Sequence, residues 1–249
     1  MCRLMFIVGS SNKNNNIRKF MFNANEHLSK GNSDGLGYTA IKNDGDIFTE
    51  RWLVNKEAFT KKLTDNDEKI ISKLGKFVEV KDKQETTLQG KPEWDKVTSV
   101  MMHTRFATCD RGLKNVHPFV SNDNEVAIVH NGIITNHKEF DKLNSTCDSE
   151  VLLTEYINWN VSSDLSKIQD LADSMKGYWA VGTTSKDDTG RRIIDIHRSS
   201  DSATLYGLYV DELEGLVIAT TEDIIRDTMK DCNWKVTNSI LRINPFVAI

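Results

Sequence analysis

The residue of this sequence with the clearest chemical potential is Cys2, which directly follows the initiator methionine. Methionine aminopeptidases remove an initiator Met when the next side chain is small, as Cys is, and the mature chain would then begin with a thiol and a free α-amine on one residue. An α-amine has a pKa of roughly 7.7–8, so it can take a proton from the thiol and later return it to a leaving group. The alternative interpretation is a buried cysteine that only packs at the start of a strand, since free Cys is among the most buried residue types.

Three clusters of polar residues carry the other groups that an amide-hydrolysing site needs. A guanidinium such as that of Arg105 can hold a carboxylate with two hydrogen bonds, and a carboxylate such as that of Asp148 can hold an ammonium group. The side chain of Asn131 and the backbone N–H of Gly132 offer two donors for the oxyanion of a tetrahedral intermediate. With a nucleophile added, these groups describe a pocket for a free amino acid that carries a side-chain amide. The clusters are residues 103–108 (HTRFAT), 130–132 (HNG) and 147–150 (CDSE).

Each cluster also has an ordinary structural interpretation. Arg105 could form a surface ion pair, and the pair formed by residues 131–132 (Asn-Gly) is a dipeptide typical of turns. Asp148 or Ser149 could cap the helix that follows. The six His residues show no spacing typical of metal ligands, and we expect His117 and His130 to be structural residues on strands.

The hydrophobic pattern predicts the elements that position these clusters. Residues 97–102 and 126–129 are predicted as buried strands that run into the first two clusters, and residues 148–159 as a helix that begins at the third. Most strand connections are too short for a crossover helix, so the sheets are expected to be largely antiparallel. The other predicted strands are 2–8, 37–42, 46–52, 178–184, 192–197, 205–210, 215–220 and 240–249. The other predicted helices are 17–28, 64–74, 164–175 and 222–230, and Gly31 is the expected stop of the first of these.

Length, composition and charge narrow the class of protein. The chain has 249 residues, of which 39% are hydrophobic and 27% charged, as in an ordinary globular protein. Its net charge of −4 and scattered basic residues argue against a nucleic-acid partner. The four Cys form no CxxC pair, which argues against disulfides or zinc and favours a cytoplasmic location. No apolar run is long enough to cross a membrane.

Six segments together give the chain a specific resemblance. It resembles a class II glutamine amidotransferase domain, an N-terminal-nucleophile (Ntn) hydrolase, and is similar to the glutaminase domains of glucosamine-6-phosphate synthase and glutamine phosphoribosylpyrophosphate amidotransferase. The matching segments are residues 1–2 (MC), 33–37 (SDGLG), 103–108 (HTRFAT), 115–119 (NVHPF), 129–136 (VHNGIITN) and 148–152 (DSEVL).

The resemblance implies a fold and a set of residue roles. The implied fold is α+β, a four-layer αββα sandwich of two mainly antiparallel sheets, in one domain over residues 1–249 with a charged insertion at about 55–98. No metal or organic cofactor is implied for glutamine hydrolysis. The implied roles are Cys2 as nucleophile, Asn131 and Gly132 as oxyanion hole, Arg105 and Asp148 as the groups that bind the α-carboxylate and α-amine of glutamine, and Phe106 and Thr108 as further residues lining the glutamine site.

The sequence departs from the family pattern in two places. Lys30 and Gly31 stand near the usual arginine-glycine start of the motif around residues 33–37, so an arginine that orients the nucleophile in some relatives is missing. Cys109 follows the HTRFAT segment as a second thiol, for which there are two interpretations: it lies near the expected pocket, or it only packs in the fold.

The motifs of the sequence also bear on the partner of this domain. The chain shows no SGGxDS-type loop, P-loop or phosphoribosyl-binding stretch, so we expect it to deliver ammonia to a separate synthase subunit. A stand-alone γ-glutamyl amide hydrolase is an alternative. A non-catalytic binding or assembly protein is another, and a retained Met1 would favour it because the amine would be blocked. Association of the chain into a homo-oligomer is a further alternative.

Overall fold

The computed structural model describes residues 2–31, 34–53, 93–107, 112–140, 147–159, 161, 164–199 and 202–244. Most of the charged region at 55–98, the helix predicted at 64–74, and the residues Thr108 and Cys109 lie outside the described residues.

The described chain forms eleven strands and four helices, with short 3-10 turns between them. The strands are β1 (Arg3–Val8), β2 (Gly35–Lys42), β3 (Ile47–Leu53), β4 (Val97–Arg105), β5 (Phe119–Val120), β6 (Ala127–Ile134), β7 (Gly177–Lys186), β8 (Arg192–Arg198), β9 (Tyr206–Val210), β10 (Gly215–Ala219) and β11 (Leu241–Arg242). The helices are α1 (Asn14–Ser29), α2 (Ser149–Asn158), α3 (Leu165–Ser174) and α4 (Glu222–Asp231).

The strands form two sheets in which every neighbouring pair is antiparallel. The larger sheet has seven strands in the order β11-β9-β10-β1-β4-β2-β3, and the smaller has four in the order β5-β6-β7-β8. The expectation of antiparallel sheets is confirmed, and short connections join the paired strands β2-β3, β5-β6, β7-β8 and β9-β10.

Three clusters of buried side chains separate four layers. The first lies between α1, α4 and the seven-stranded sheet and includes Phe20 and Met5. The second fills the space between the two sheets and includes Phe6 and Val129. The third lies between the four-stranded sheet and the pair α2 and α3, and includes Trp179. This is an α+β fold with the αββα order of layers, as the resemblance implied.

Helix α1 shows why the sequence pattern predicted its elements well. Its apolar residues recur at helical spacing, and Ile17, Phe20 and Leu28 are buried against the sheet. Gly31 then adopts a φ of +81°, the left-handed conformation that commonly ends a helix. The predicted stop is therefore confirmed, and the helix begins earlier than predicted, at Asn14.

Two predicted boundaries near the polar clusters were wrong. Strand β4 continues through Arg105, and β6 continues through Ile134. Residues 103–105 of the first cluster and all of the second therefore lie within strands, while Phe106 and Ala107 follow β4. Asn131 and Gly132 do not form a turn, because they pair with Ala180 and Trp179 of β7. The strand partner supplied by the fold overrides the local turn preference of this dipeptide.

Two other boundary predictions also need correction. His117 is not on a strand but in the segment before β5, next to Pro118. The C-terminal strand predicted at 240–249 is only Leu241–Arg242 within the described residues, which end at 244. The remaining predicted elements that lie within described residues are present, with ends that differ slightly.

Candidate active site

Three strands bring Cys2, Arg105 and Asn131 to one end of the space between the sheets. Side chains alternate between the two faces of a strand, so residues two or four apart share a face. Cys2 lies two positions along the chain from a residue of the buried cluster between the two sheets, and so does Asn131. Arg105 lies four positions from another residue of that cluster. Because Arg3 pairs with Thr104, Cys2 comes opposite Arg105. The cluster residues that define the shared faces are Leu4, Met101 and Val129.

Cys2 is half-buried and its thiol is held by the backbone of Phe106. The N–H of Phe106 donates to the Cys2 Sγ at 3.4 Å, and the thiol donates to the Phe106 carbonyl at 3.6 Å. Burial raises the pKa of the Cys2 thiol above that of an ordinary cysteine, although the hydrogen bond from Phe106 and the charge of Arg105 oppose the shift. The charge of Asp148 raises that pKa further. The thiol is therefore protonated near neutral pH and needs a base to become a nucleophile.

Asp34 fixes the short segment that presents Phe106 to the thiol. Its N–H donates to the carbonyl of Arg105 at 3.1 Å, and its Oδ2 accepts a hydrogen bond from the N–H of Ala107 at 2.9 Å. Asp34 belongs to the SDGLG segment of the resemblance, from which no role for this residue was predicted. Thr108, the last residue of the 103–108 cluster, lies outside the described residues.

The opposite faces of β1 and β4 are tied to the C-terminal end of α1. Arg3 Nη1 donates to the carbonyl of His27 at 2.7 Å, and Thr104 Oγ1 donates to the carbonyl of Leu28 at 2.8 Å. These carbonyls have no partners within a helix, so the two side chains satisfy them and hold the strand ends. Lys30 is exposed beyond the end of α1. No role was predicted for Arg3 or Thr104 from the sequence. Only their positions next to Cys2 and Arg105 in the chain could have indicated that they support the site.

Asp148 is anchored to the strand that carries Asn131 and Gly132. Its Oδ2 accepts a hydrogen bond from the N–H of Ile134 at 2.7 Å. Its side chain makes no capping hydrogen bond to α2, so the ordinary helix-cap interpretation is wrong. Asn131, Gly132 and Asp148 are all half-buried, and Asp148 is close enough to act on the pKa of Cys2.

Gly132 has a conformation and surroundings that only glycine fits. Its φ is +150°, and a Cβ atom at this position would lie 2.2 Å from the carbonyl oxygen of Tyr178. The absence of a side chain therefore lets β7 approach β6 beside Asn131.

The described residues contain no group of three His, Cys, Asp or Glu side chains that could hold a metal ion. The cysteines within them, Cys2, Cys147 and Cys232, are free thiols. None of the helices in the described ranges is long and apolar enough to cross a membrane.

Comparison with known proteins relates part of this chain to glutamine amidotransferases. A family model described as a glutamine amidotransferase domain matches residues 85–189. The chain is 31% identical over 104 residues to glutamine–fructose-6-phosphate aminotransferase (isomerizing) of Vibrio parahaemolyticus, a match that covers 37% of this chain and 17% of that protein.

Two solved structures share the fold. Glutamine phosphoribosylpyrophosphate (PRPP) amidotransferase from B. subtilis, complexed with ADP and GMP, superposes with a TM-score of 0.59 at 16% identity, over 92% of this chain and 43% of that one. A structure described as the allosteric regulatory enzyme of purine biosynthesis gives a TM-score of 0.61 at 15% identity, with the same coverage of 92% and 43%. The chain thus spans less than half the length of the relatives it matches.

The family model and the sequence relative show a glutamine amidotransferase domain in this chain, which the family model places within residues 85–189, and the two solved structures show the same fold over most of the chain. Together they support the predicted class II (Ntn) type of domain. The matched range 85–189 contains Arg105, Asn131 and Asp148, whereas Cys2 lies outside it.

Proposed function

We propose that this protein hydrolyses the side-chain amide of glutamine through Cys2, giving glutamate and ammonia. The observation that carries the proposal is the contact of the Cys2 thiol with the backbone of Phe106, directly beside Arg105. Asn131 faces the same space from the other sheet. A nucleophile, a carboxylate-binding group and an oxyanion donor thus converge from three strands at one end of the sandwich.

The reaction begins with removal of Met1, which frees the α-amine of Cys2. That amine takes the thiol proton, which is necessary because burial raises the thiol pKa. Sulfur attacks the amide carbon, and the negative oxygen of the tetrahedral intermediate is stabilised by the Asn131 side chain and the Gly132 N–H. The C–N bond then breaks, the leaving nitrogen takes the proton back as ammonia, and water hydrolyses the thioester to release glutamate and the thiol.

Two charged groups bind the α-carbon substituents of glutamine in this proposal. Arg105 binds the α-carboxylate, for which the planar guanidinium is suited. Asp148 binds the α-ammonium, and its bond to the Ile134 N–H holds it at the strand of the oxyanion hole. Phe106 lines the site through its backbone. Thr108 is proposed as a further contact to glutamine.

The direct test measures glutamate release from glutamine by protein whose N-terminus has been checked by intact mass. We expect turnover by the processed protein and none by Cys2→Ala. Cys232→Ala is the matched control, because Cys232 is buried in the helix-packed cluster away from Cys2 and should leave turnover unchanged. A variant with one lysine inserted before Cys2, which blocks processing, should also be inactive. Glutamate release by Cys2→Ala at the wild-type rate would refute the mechanism.

The same assay separates the alternative functions. A γ-glutamyl amide hydrolase would turn over γ-glutamyl conjugates with a higher kcat/KM than glutamine. A non-catalytic assembly protein would keep Met1 and release no glutamate from any of these substrates.

We further propose that ammonia passes to an acceptor enzyme on a separate synthase subunit. In this proposal residues 1–249 form one domain, and the region 55–98 is an insertion in it. A cytoplasmic location is proposed with it, supported by the free thiols. When the synthase and its substrate are added, glutamate release should continue while ammonia available to a soluble scavenging enzyme falls. Equal amounts of glutamate and scavenged ammonia would contradict transfer in trans.

Sedimentation of the protein alone would show whether it forms a homo-oligomer.

A further inference from the structure

Three histidine rings are buried directly beneath the candidate site. His103 on β4, His117 before β5 and His130 on β6 are at most 3% exposed. The ring centroids of His103 and His117 are 4.0 Å apart, and those of His117 and His130 are 6.3 Å apart. His103 shares its face of β4 with Arg105, and His130 immediately precedes Asn131. The group lies where the two sheets meet the proposed active site.

One hydrogen bond in this group connects the two sheets. His103 Nε2 lies 2.9 Å from the carbonyl oxygen of His130. A carbonyl only accepts hydrogen bonds, so Nε2 of His103 carries the proton and donates it. The accepting carbonyl belongs to the peptide unit whose N–H is that of Asn131. The orientation of the peptide plane that leads into Asn131 therefore depends on a side chain from the sheet that carries Cys2.

The side chain of His130 continues the connection on the other face of β6. Its Nδ1 lies 2.7 Å from Ser149 Oγ, at the start of α2. Ser149 follows Asp148, which accepts the hydrogen bond from Ile134 N–H. The strand with the oxyanion donors is thus held by β4 on one side and by the start of α2 on the other, and both of these neighbours carry a proposed glutamine-binding group.

We propose that His103 is a positioning residue that sets the oxyanion donors of β6 at the correct distance from the Cys2 sulfur. The inference rests on the proposed glutaminase function. A displacement of about 1 Å in a catalytic group can lower a rate about a hundredfold, so a bond that fixes the relative position of two sheets can matter for kcat. Burial lowers the pKa of His103 to about 3, so the ring stays neutral and keeps this role at any ordinary pH.

The test compares His103→Gln with His103→Leu in glutamine hydrolysis. The Nε2 of Gln reaches about as far as the Nε2 of His and donates a similar hydrogen bond, whereas Leu cannot donate. Rates are expressed per reactive Cys2 thiol, so that loss of folded protein does not count as loss of rate. We expect kcat of His103→Leu to fall about 10–100-fold with KM changed less than about twofold, and His103→Gln to recover most of kcat.

His197→Leu is the matched control, because His197 is also a buried histidine, on β8 of the four-stranded sheet, outside the proposed machinery. Its substitution should change stability but not kcat or KM per thiol. The proposal is overturned if His103→Leu keeps the wild-type kcat, or if His103→Gln is as slow as His103→Leu.

A measurement on the wild-type protein keeps the proposal testable if both variants fail to fold. Long-range ¹H–¹⁵N correlation of the imidazole nitrogens should show His103 as the Nε2–H tautomer, and an Nδ1–H tautomer would overturn the proposal. If wild-type protein with a processed N-terminus releases no glutamate while the Nε2–H tautomer is found, the proposed function fails and the cross-sheet bond stands. If the wild type is active and both His103 variants keep the wild-type kcat, the positioning role fails and the proposed function stands.

Discussion

The space between the two sheets has a middle that stabilises the fold and an end that carries the candidate chemistry. In the middle, Phe6 from one sheet packs so closely on the other that a Cβ atom on Gly182 would lie 2.1 Å from its ring. Its neighbours there are apolar and buried. At the end, the same faces of β1, β4 and β6 carry Cys2, Arg105 and Asn131.

The difference between these regions is one of residue type and hydrogen bonding, since the strand geometry is the same. The middle is held by contact between apolar side chains, which is non-directional. The end is held by directed bonds such as Phe106 N–H to Cys2 Sγ and Ile134 N–H to Asp148. A substitution in the middle should therefore act mainly on stability, and one at the end mainly on turnover. Four predictions test this division.

The largest effect is expected for Phe6→Ala in the middle. Phe6 is 1% exposed, and truncation of a buried Phe typically lowers the free energy of unfolding by about 3–5 kcal/mol. Urea denaturation measures this loss, and KM for glutamine should change little in the folded fraction. Leu241→Ala, at a residue that is 67% exposed, is the control and should change stability by less than about 0.5 kcal/mol. A loss below about 1 kcal/mol for Phe6→Ala would show that the middle is not tightly packed.

Asn131→Ala at the end should show the reverse behaviour. Loss of one oxyanion donor typically lowers kcat by about 10²–10³, or roughly 2.7–4 kcal/mol in transition-state free energy. Because Asn131 is half-buried, its truncation should cost little stability. The exposed Asn158 gives the control Asn158→Ala, which should keep the wild-type kcat. A wild-type kcat in Asn131→Ala would remove Asn131 from the oxyanion hole.

Asp148→Asn separates the charge of Asp148 from its hydrogen bond. The Asn side-chain oxygen can still accept from Ile134 N–H, so the local structure should persist, but the attraction to the α-ammonium of glutamine is lost. We expect KM to rise about tenfold, which corresponds to about 1.4 kcal/mol, with a smaller change in kcat. Steady-state kinetics measures both values. An unchanged KM would mean that Asp148 positions β6 but does not bind the substrate.

The smallest effect concerns the pH dependence of Cys2 alkylation, measured in unprocessed protein that retains Met1. Alkylation requires the thiolate, so its rate should rise with pH around a midpoint above the pKa of an ordinary cysteine thiol. The negative charge of Asp148 raises the pKa of this thiol, so Asp148→Asn should shift the midpoint downwards. Asp123→Asn, on an exposed turn, is the control and should leave it unchanged. An unchanged midpoint in Asp148→Asn would place Asp148 away from the thiol.

Local patterns predicted the elements whose ends are set by neighbouring residues. The spacing of Ile17, Phe20 and Leu28 predicted α1, and Gly31 predicted its end, because helix periodicity and a positive φ are properties of the local chain. The same patterns gave the wrong ends for β4 and β6. Those strands continue because distant partners pair with them, as Ala180 does with Asn131.

The candidate site was predictable as a set of residue types but not as an arrangement. The resemblance named Cys2, Arg105 and Asp148, whereas Asp34 and His103 gained their positions only from contacts across the fold. Local rules could not reveal these contacts, since each joins residues that are far apart in the sequence.

The sequence by itself determined the chemical groups and the period-two alternation that sets which side chains share a face of a strand. Only the tertiary structure decided that Asp148 accepts from Ile134 and does not cap α2, and that Asn131 and Gly132 extend a strand and do not turn. The physical reason is that a carboxylate or a dipeptide has several local conformations of similar energy. The partner that the fold brings next to it, which here is β6 or β7, selects one of them.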